Sequence, residues 1–413
     1  MKRWIVIAAL MALVVGVVQA QDVISPALEE QLIALEDATQ TIRGLEALEP
    51  VERVFPTRDE TIAYLEEIYA RDLPIEEAER AEAFYQALGF FTPEIDLLDV
   101  YLTLLGSQVA GFYDPETKQM NVIPMVGDDA GDSLSITEQI IYVHEFTHAL
   151  QDQHFDLAEV LPADVVNEPD RALAIRSLVE GDASAVMNVY TQAVATSNPG
   201  AAFSILLEGL QSGGLFLPPG IPTILVRELL FPYEQGANFV IALYNEGGWE
   251  AVNAAYANLP QTSEQIMHPE KYFSGETAIP VELPDFAPTL GDGWTQAWDV
   301  TLGEFYLREQ MVSEVASSRA NRAAAGWGGD RFHVYVNGDQ VASVLRVAWD
   351  TPEDEPQFAE IYAAYADERF GVEAVDGCWS NATGALCMVT AEDGTTWIST
   401  APTVELAAAF VQQ

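Results

Sequence analysis

The sequence predicts an α+β protein: a mainly helical central domain with a small β-hairpin, a helical layer before it and a small α+β domain after it. Three observations predict this class. Residues 27–105 carry apolar residues at three- and four-residue spacing with acidic residues between them, the period of exposed amphipathic helices. Residues 108–124 (QVAGFYDPETKQMNVIP) break that period with two short apolar runs around a turn-forming DPETK. Beyond about residue 285 strand-like runs return, with hairpin signals at Asn337-Gly338 and Asp393-Gly394.

A chain of 413 residues with 49% apolar content exceeds one ordinary core and implies several domains. The expected segments are 1–20, a signal peptide; 21–107, a helical region; 108–285, the central domain; and 286–413, the α+β domain. The signal peptide rests on Lys2 and Arg3 before an apolar run and on Val18-Gln19-Ala20, a small-x-small cleavage site. An uncleaved anchor is the competing reading. The next most apolar stretch, 202–233, is interrupted by Glu208, Arg227 and Glu228, so no stable membrane span is expected after cleavage, and the mature chain is expected outside the cytoplasm.

Sixty-four acidic against 18 basic residues give a formal charge of −46, spread along the chain. Such a field repels phosphate backbones and excludes nucleic acid as a partner. It fits a highly solvated surface, cationic substrates or a salty habitat. In an exported chain the two cysteines, Cys378 and Cys387 in GCWSNATGALC, most simply form one local disulfide; two buried free thiols are the alternative, and neither is catalytic.

Along the chain, three helical stretches are separated by Pro50, Pro56 and Pro74 and closed by Pro93. They are a packing layer or a propeptide. The DPETK hairpin follows, then a helix introduced by the capping box Ser135-Ile136-Thr137-Glu138 and carrying HEFTHALQDQH, residues 144–154. A second long helix starts near Asn167, with Pro169 in its first turn. Residues 202–233, apolar and rich in Gly and Pro, suit a pocket wall or core packing, and another helix reaches about residue 258. The tail suggests two loosely similar β-β-α units. Its first helix is expected to be capped by Thr351 and stopped by Gly371; Trp327-Gly328-Gly329-Asp330 has the composition of a turn, and His333 that of a strand residue.

The chemistry rests on His144, Glu145 and His148. Histidines four apart on a helix lie about 40° apart around its axis and one turn above each other, so both rings reach one ion, and Glu145 can take a proton from a water activated there. A third ligand must come from elsewhere. His154 matches the metzincin spacing HExxHxxGxxH, but Gln151 stands where that pattern has its helix-ending glycine. If the helix continues, His154 lies about 15 Å along the axis and roughly 80° off the ligand face. The competing donor is Glu180 in SLVEGDASAV on the next long helix, and helix geometry favours it.

At these residues the chain resembles the gluzincin metallopeptidases. HEFTHALQD looks like the HELTHAVTD-type helix of thermolysin-like enzymes, and LVEGDA is similar to the L-x-E-G-x-A string of zinc aminopeptidases. The resemblance covers residues 135–190. It implies a zincin-like catalytic domain, Zn2+ held by His144, His148 and Glu180, Glu145 as general base, and a peptide or protein substrate. Asp182 or Ser184 would support a ligand or face solvent. A gluzincin-like mechanism also needs an oxyanion donor, for which Tyr233 and His268 are candidates, His268 serving equally to hold a loop. The hairpin occupies the place where zincins set the strand that pairs with substrate. The alternatives are a metzincin-like site using His154 and a non-catalytic exported zinc-containing binding protein.

Overall fold

A computed structural model of the chain describes residues 24–108, 111–124, 131–162, 165–198, 200 and 220–411. The expected signal peptide and residues 202–219 lie outside them. The architecture is mixed α+β, as expected.

Helix α1 (Pro26–Arg43) begins at Ser25, whose side chain accepts from the Leu28 N–H, and stops at Gly44 in the left-handed region at φ 70. Its stripe Leu28, Leu32 and Leu35 is buried. The stripe packs on α5 (Ile136–Phe155), the helix that carries HEFTH, in one cluster with Tyr142, Val143, Phe146, Ala149 and Leu150. The Ser135 capping box forms as the sequence predicts: Ser135 accepts from Glu138 N while the Glu138 carboxylate accepts from Ser135 N. Nothing interrupts α5 at Gln151.

Between these helices lie α2 (Arg58–Asp72), α3 (Ile75–Ala87), α4 (Leu97–Gln108) and the DPETK hairpin, formed by β2 (Gly111–Asp114) and β3 (Gln119–Val122). The Asp114 carboxylate accepts from Glu116 N, Thr117 N and Thr117 Oγ1 and so closes the turn. A further strand, β1 (Glu52–Val54), pairs parallel to β3, giving the order β1-β3-β2 with β2 at an edge. Asp152 of α5 pins the hairpin down by accepting from Tyr113 Oη (2.8 Å) and Lys118 Nζ (2.9 Å).

After the short α6 (Leu157–Val160) come α7 (Pro169–Ser197) and α8 (Thr223–Ala257), the latter broken at Gly247-Gly248. These two helices touch backbone to backbone. A Cβ on Gly236 would sit 2.2 Å from Ser177 O, and one on Gly181 would sit 2.2 Å from the Gly236 carbonyl carbon. Only glycine permits that approach.

Short helices α9 (Ser263–Met267), α10 (Pro269–Ser274) and α11 (Ala287–Leu290) lead to β4 (Thr295–Val300), α12 (Gly303–Val312) and α13 (Ser317–Ala324). Then follow β5 (Trp327–Asn337), β6 (Gln340–Trp349), α14 (Asp354–Phe370), β7 (Cys378–Asn381), β8 (Gly384–Thr390), β9 (Thr396–Ala401) and α15 (Val404–Val411). The six strands form an antiparallel sheet in the order β4-β5-β6-β9-β8-β7. Its hairpins turn at Gly338 (φ 55) and Gly394 (φ 82), each followed by a helix, which is the expected pair of β-β-α units. Cys378 and Cys387, facing each other on β7 and β8, are disulfide-bonded.

Two local expectations are corrected. Trp327-Gly328-Gly329-Asp330 opens β5 rather than turning: Gly329 pairs with Ala348, and a Cβ there would strike Ile279 O at 2.2 Å, so the glycines serve a close backbone approach. Thr351 does not cap α14, because its hydroxyl donates to the Asp354 carboxylate instead. The largest apolar cluster joins Phe84 and Tyr85, Leu173 and Leu178, Phe239, Phe305 and Tyr306 to Phe332 and Val347 of the sheet, and so draws on all three segments expected as domains. No helix among the described residues is long and apolar enough to cross a membrane.

The α7–α8 contact leaves no room for a methyl group. Gly236→Ala is expected to lower unfolding free energy by about 1–3 kcal/mol, read from urea denaturation at unchanged m-value.

Candidate metal centre

Helix α5 presents His144 and His148 one turn apart, and α7 brings Glu180 against both. His144 Nε2 lies 3.1 Å from Glu180 Oε2, His148 Nε2 lies 3.4 Å from the same oxygen, and the two Nε2 atoms are 3.1 Å apart. His154, at the other end of α5, points elsewhere: its Nε2 meets Glu46 O at 2.8 Å, after α1.

The three donor atoms suit a zinc ion. Ligand atoms on a tetrahedral zinc with bonds of 2.0–2.1 Å stand about 3.3 Å apart, which is the spacing found here. Two imidazole nitrogens and a carboxylate are also a donor set that zinc prefers. His144, Glu145, His148 and Glu180 are each 4–7% exposed, so the group is sheltered without being sealed.

The electrostatics favour positive charge at this point. Burial opposes ionisation of Glu180, yet His148 and His144 hold its carboxyl well below the usual carboxylate range. Burial likewise opposes protonation of His148, but the Glu180 and Glu145 carboxylates and Gln151 outweigh it and push its pKa up to about 9. Glu145 differs. Burial raises its pKa, opposed by both histidines, while Tyr113 N of edge strand β2 donates to its Oε2 at 3.0 Å.

Tyr233 of α8 joins the group. Its ring stacks on His144 with centroids 5.6 Å apart, and burial, then the charges of Glu180 and Glu145, push its hydroxyl well above the ordinary tyrosine value. The other oxyanion candidate does not join. His268, between α9 and α10, is held by Glu304 of α12 at 3.0–3.1 Å, the loop-holding role, and none of its described partners belongs to the metal group. His333 is a strand residue whose ring nitrogens meet Asp299 (2.9 Å) and Tyr335 Oη (3.1 Å). Ser184 Oγ is buried and has no hydrogen-bond partner among the described residues, so it supports no ligand.

Gln151, which stands where the metzincin pattern has glycine, bridges His148 to α7. His148 Nδ1 is 2.8 Å from Gln151 Oε1, and Gln151 Nε2 donates to Val179 O (2.9 Å) and Asp182 Oδ2 (3.2 Å). The three-residue helical spacing from His148 was the available signal. A second acidic group, Glu264, Glu276 and Asp350, already surrounds Lys271 Nζ, which lies 2.6 Å from Glu264 and 2.8 Å from Glu276 and touches Asp350. Lys271 thus occupies the point where the three carboxylates converge.

Residues 295–410, from β4 into α15, match the model of a family described as a domain of unknown function, DUF8575. That segment contains no member of the His144, Glu145, His148 and Glu180 group. No curated protein matches the chain. Among solved structures, a protein of Chloroflexus aurantiacus described as "a putative hydrolase with a novel fold" is 18% identical, with a TM-score of 0.38 over 60% of this chain and 88% of that one.

Purified wild-type protein and His154→Ala are expected to hold one zinc per chain, whereas His144→Ala and Glu180→Ala lose it. Metal content by plasma mass spectrometry after gel filtration checks this, and a His154→Ala protein without zinc would favour the metzincin spacing.

Proposed function

We propose that the chain is an exported zinc-dependent peptidase of gluzincin type, with a zincin-like catalytic domain, that hydrolyses peptide bonds. The observation that carries this reading is the meeting of His144 Nε2, His148 Nε2 and Glu180 Oε2 within 3.4 Å of one another, with Glu145 on the same helix turn. Export rests on the leader-like residues 1–20. The edge strand β2, whose Tyr113 N–H reaches Glu145, supports the zincin-like arrangement and offers backbone to an extended peptide.

His144, His148 and Glu180 would hold a zinc ion, and its chemistry there would be that of a Lewis acid toward water and the scissile carbonyl. Glu145 takes one proton from the attacking water, the water oxygen bonds to the carbonyl carbon, and the same proton passes to the amine nitrogen as the C–N bond breaks. Burial makes Glu145 a stronger base than an exposed carboxylate, and the Tyr113 N–H fixes its orientation. Tyr233, whose hydroxyl carries its proton at neutral pH, donates to the oxyanion.

Glu145→Gln is expected to keep its zinc and lose about 10²–10⁴-fold in turnover. Tyr233→Phe is expected to keep its zinc and lose about 10²–10³-fold in kcat at little change in KM. Cleavage of a mixed peptide library, followed by mass spectrometry, checks both. Wild-type protein that holds zinc and cleaves no peptide would sink the peptidase reading in favour of a zinc-containing binding protein.

A further inference from the structure

We propose that Gln151, Asp182 and Arg43 form a buried positioning relay that aims His148 at the metal, which makes helix α1 a working part of the site. The inference rests on the metal-site reading above and extends it from the ligands to the residues that hold them.

All three relay residues are fully buried. His148 has two ring nitrogens, and only the tautomer with its proton on Nδ1 leaves the Nε2 lone pair free for an ion. Gln151 Oε1, 2.8 Å from Nδ1, is the acceptor that selects this tautomer. A flipped Gln151 amide would present N–H groups to Nδ1, drive the proton to Nε2 and block the site. The flip is prevented at the other end of the amide, where Gln151 Nε2 already donates to Val179 O and Asp182 Oδ2. Asp182 is thus one of the two acceptors that hold the amide in place.

A buried carboxylate needs a partner of opposite charge, because left alone it is costly. Arg43, the last residue of α1, supplies it: Nε is 2.7 Å from Asp182 Oδ1, as a close ion pair rather than an aligned hydrogen bond. Tyr256 Oη donates to Asp182 Oδ2 at 2.8 Å and completes the acceptor's surroundings. Arg43 is itself held from the far side of α8's break, where its Nη2 donates to Asn253 Oδ1 at 2.8 Å and the guanidinium lies 4.6 Å from the Trp249 ring centre. Gly44 follows directly and brings the chain against Trp249: a Cβ there would stand 3.2 Å from the indole. The order of dependence runs from α1 through α7 to α5. His144 Nδ1, by contrast, is buried without a partner among the described residues, so the orientation that the protein builds in most fully is that of His148.

The test is the zinc dissociation constant by chelator competition, together with the melting temperature of the metal-stripped chain, for full-length wild type, Gln151→Leu, Arg43→Met and His154→Ala. Loss of this kind of partner weakens metal binding about 10- to 100-fold. Gln151→Leu is expected in that range, Arg43→Met is expected to weaken binding at least about threefold, and His154→Ala is expected to match wild type. Should Gln151→Leu not fold, Gln151→Asn, one methylene too short to reach Nδ1, carries the same expectation. Zinc affinities of Gln151→Leu and Arg43→Met within twofold of wild type would overturn the relay even if the melting temperatures fall, because that pattern belongs to a purely structural role. Wild-type protein that takes up no zinc would instead overturn the metal-site reading, and the relay with it.

Discussion

The site depends on how closely α7 and α8 approach. At Gly236 the two backbones lie near enough that no Cβ fits on either Gly181 or Gly236. Glu180 precedes Gly181, and Tyr233 lies one helical turn before Gly236, so the contact that sets the register of the two helices also sets these side chains relative to the histidines of α5. Packed helices at such a contact have few ways to slide, since each shift forces backbone atoms together. The precision of the site thus comes from an absence of side chain.

The second constraint is charge. Glu145, Glu180 and Asp182 are all buried, and an unpaired buried carboxylate is costly. Each is handled differently. Glu180 lies against two imidazoles that draw its pKa down. Asp182 lies against Arg43 and accepts from Tyr256 and Gln151. Glu145 receives one backbone N–H and is left with a raised pKa, the state suited to accepting a proton. Three acids within one helix pair therefore have three roles, assigned by their neighbours rather than by their own chemistry.

What was legible in the sequence is what lies within one element. The α+β class, the Ser135 capping box, the DPETK and Asn337-Gly338 turns and the pairing of His144 with His148 are all set by residues a few positions apart. That His154 stands away from His144 and His148 also needed only helix geometry, since an unbroken α5 carries it past them to the C-terminal end. Contacts between distant elements were not legible. Strand β1 has three residues, too few to show a period, and it exists because β3 offers it an edge. The glycines of Trp327-Gly328-Gly329-Asp330 have turn composition but serve a strand crossing Ile279. Gln151 resembles any polar helix residue until α7 supplies Val179 O and Asp182. Arg43 stands 139 residues before its partner Asp182 in the chain, and no local pattern joins them.

The proposed metal is held by two residues of α5 and one of α7. X-ray diffraction from crystals of the zinc-loaded protein, recorded on both sides of the zinc absorption edge, tests it most directly. One strong anomalous peak is expected about 2.1 Å from His144 Nε2, His148 Nε2 and a Glu180 oxygen, with no atom of His154 in contact. A zinc-loaded crystal with no peak between those residues, or with one coordinated by His154, would contradict it.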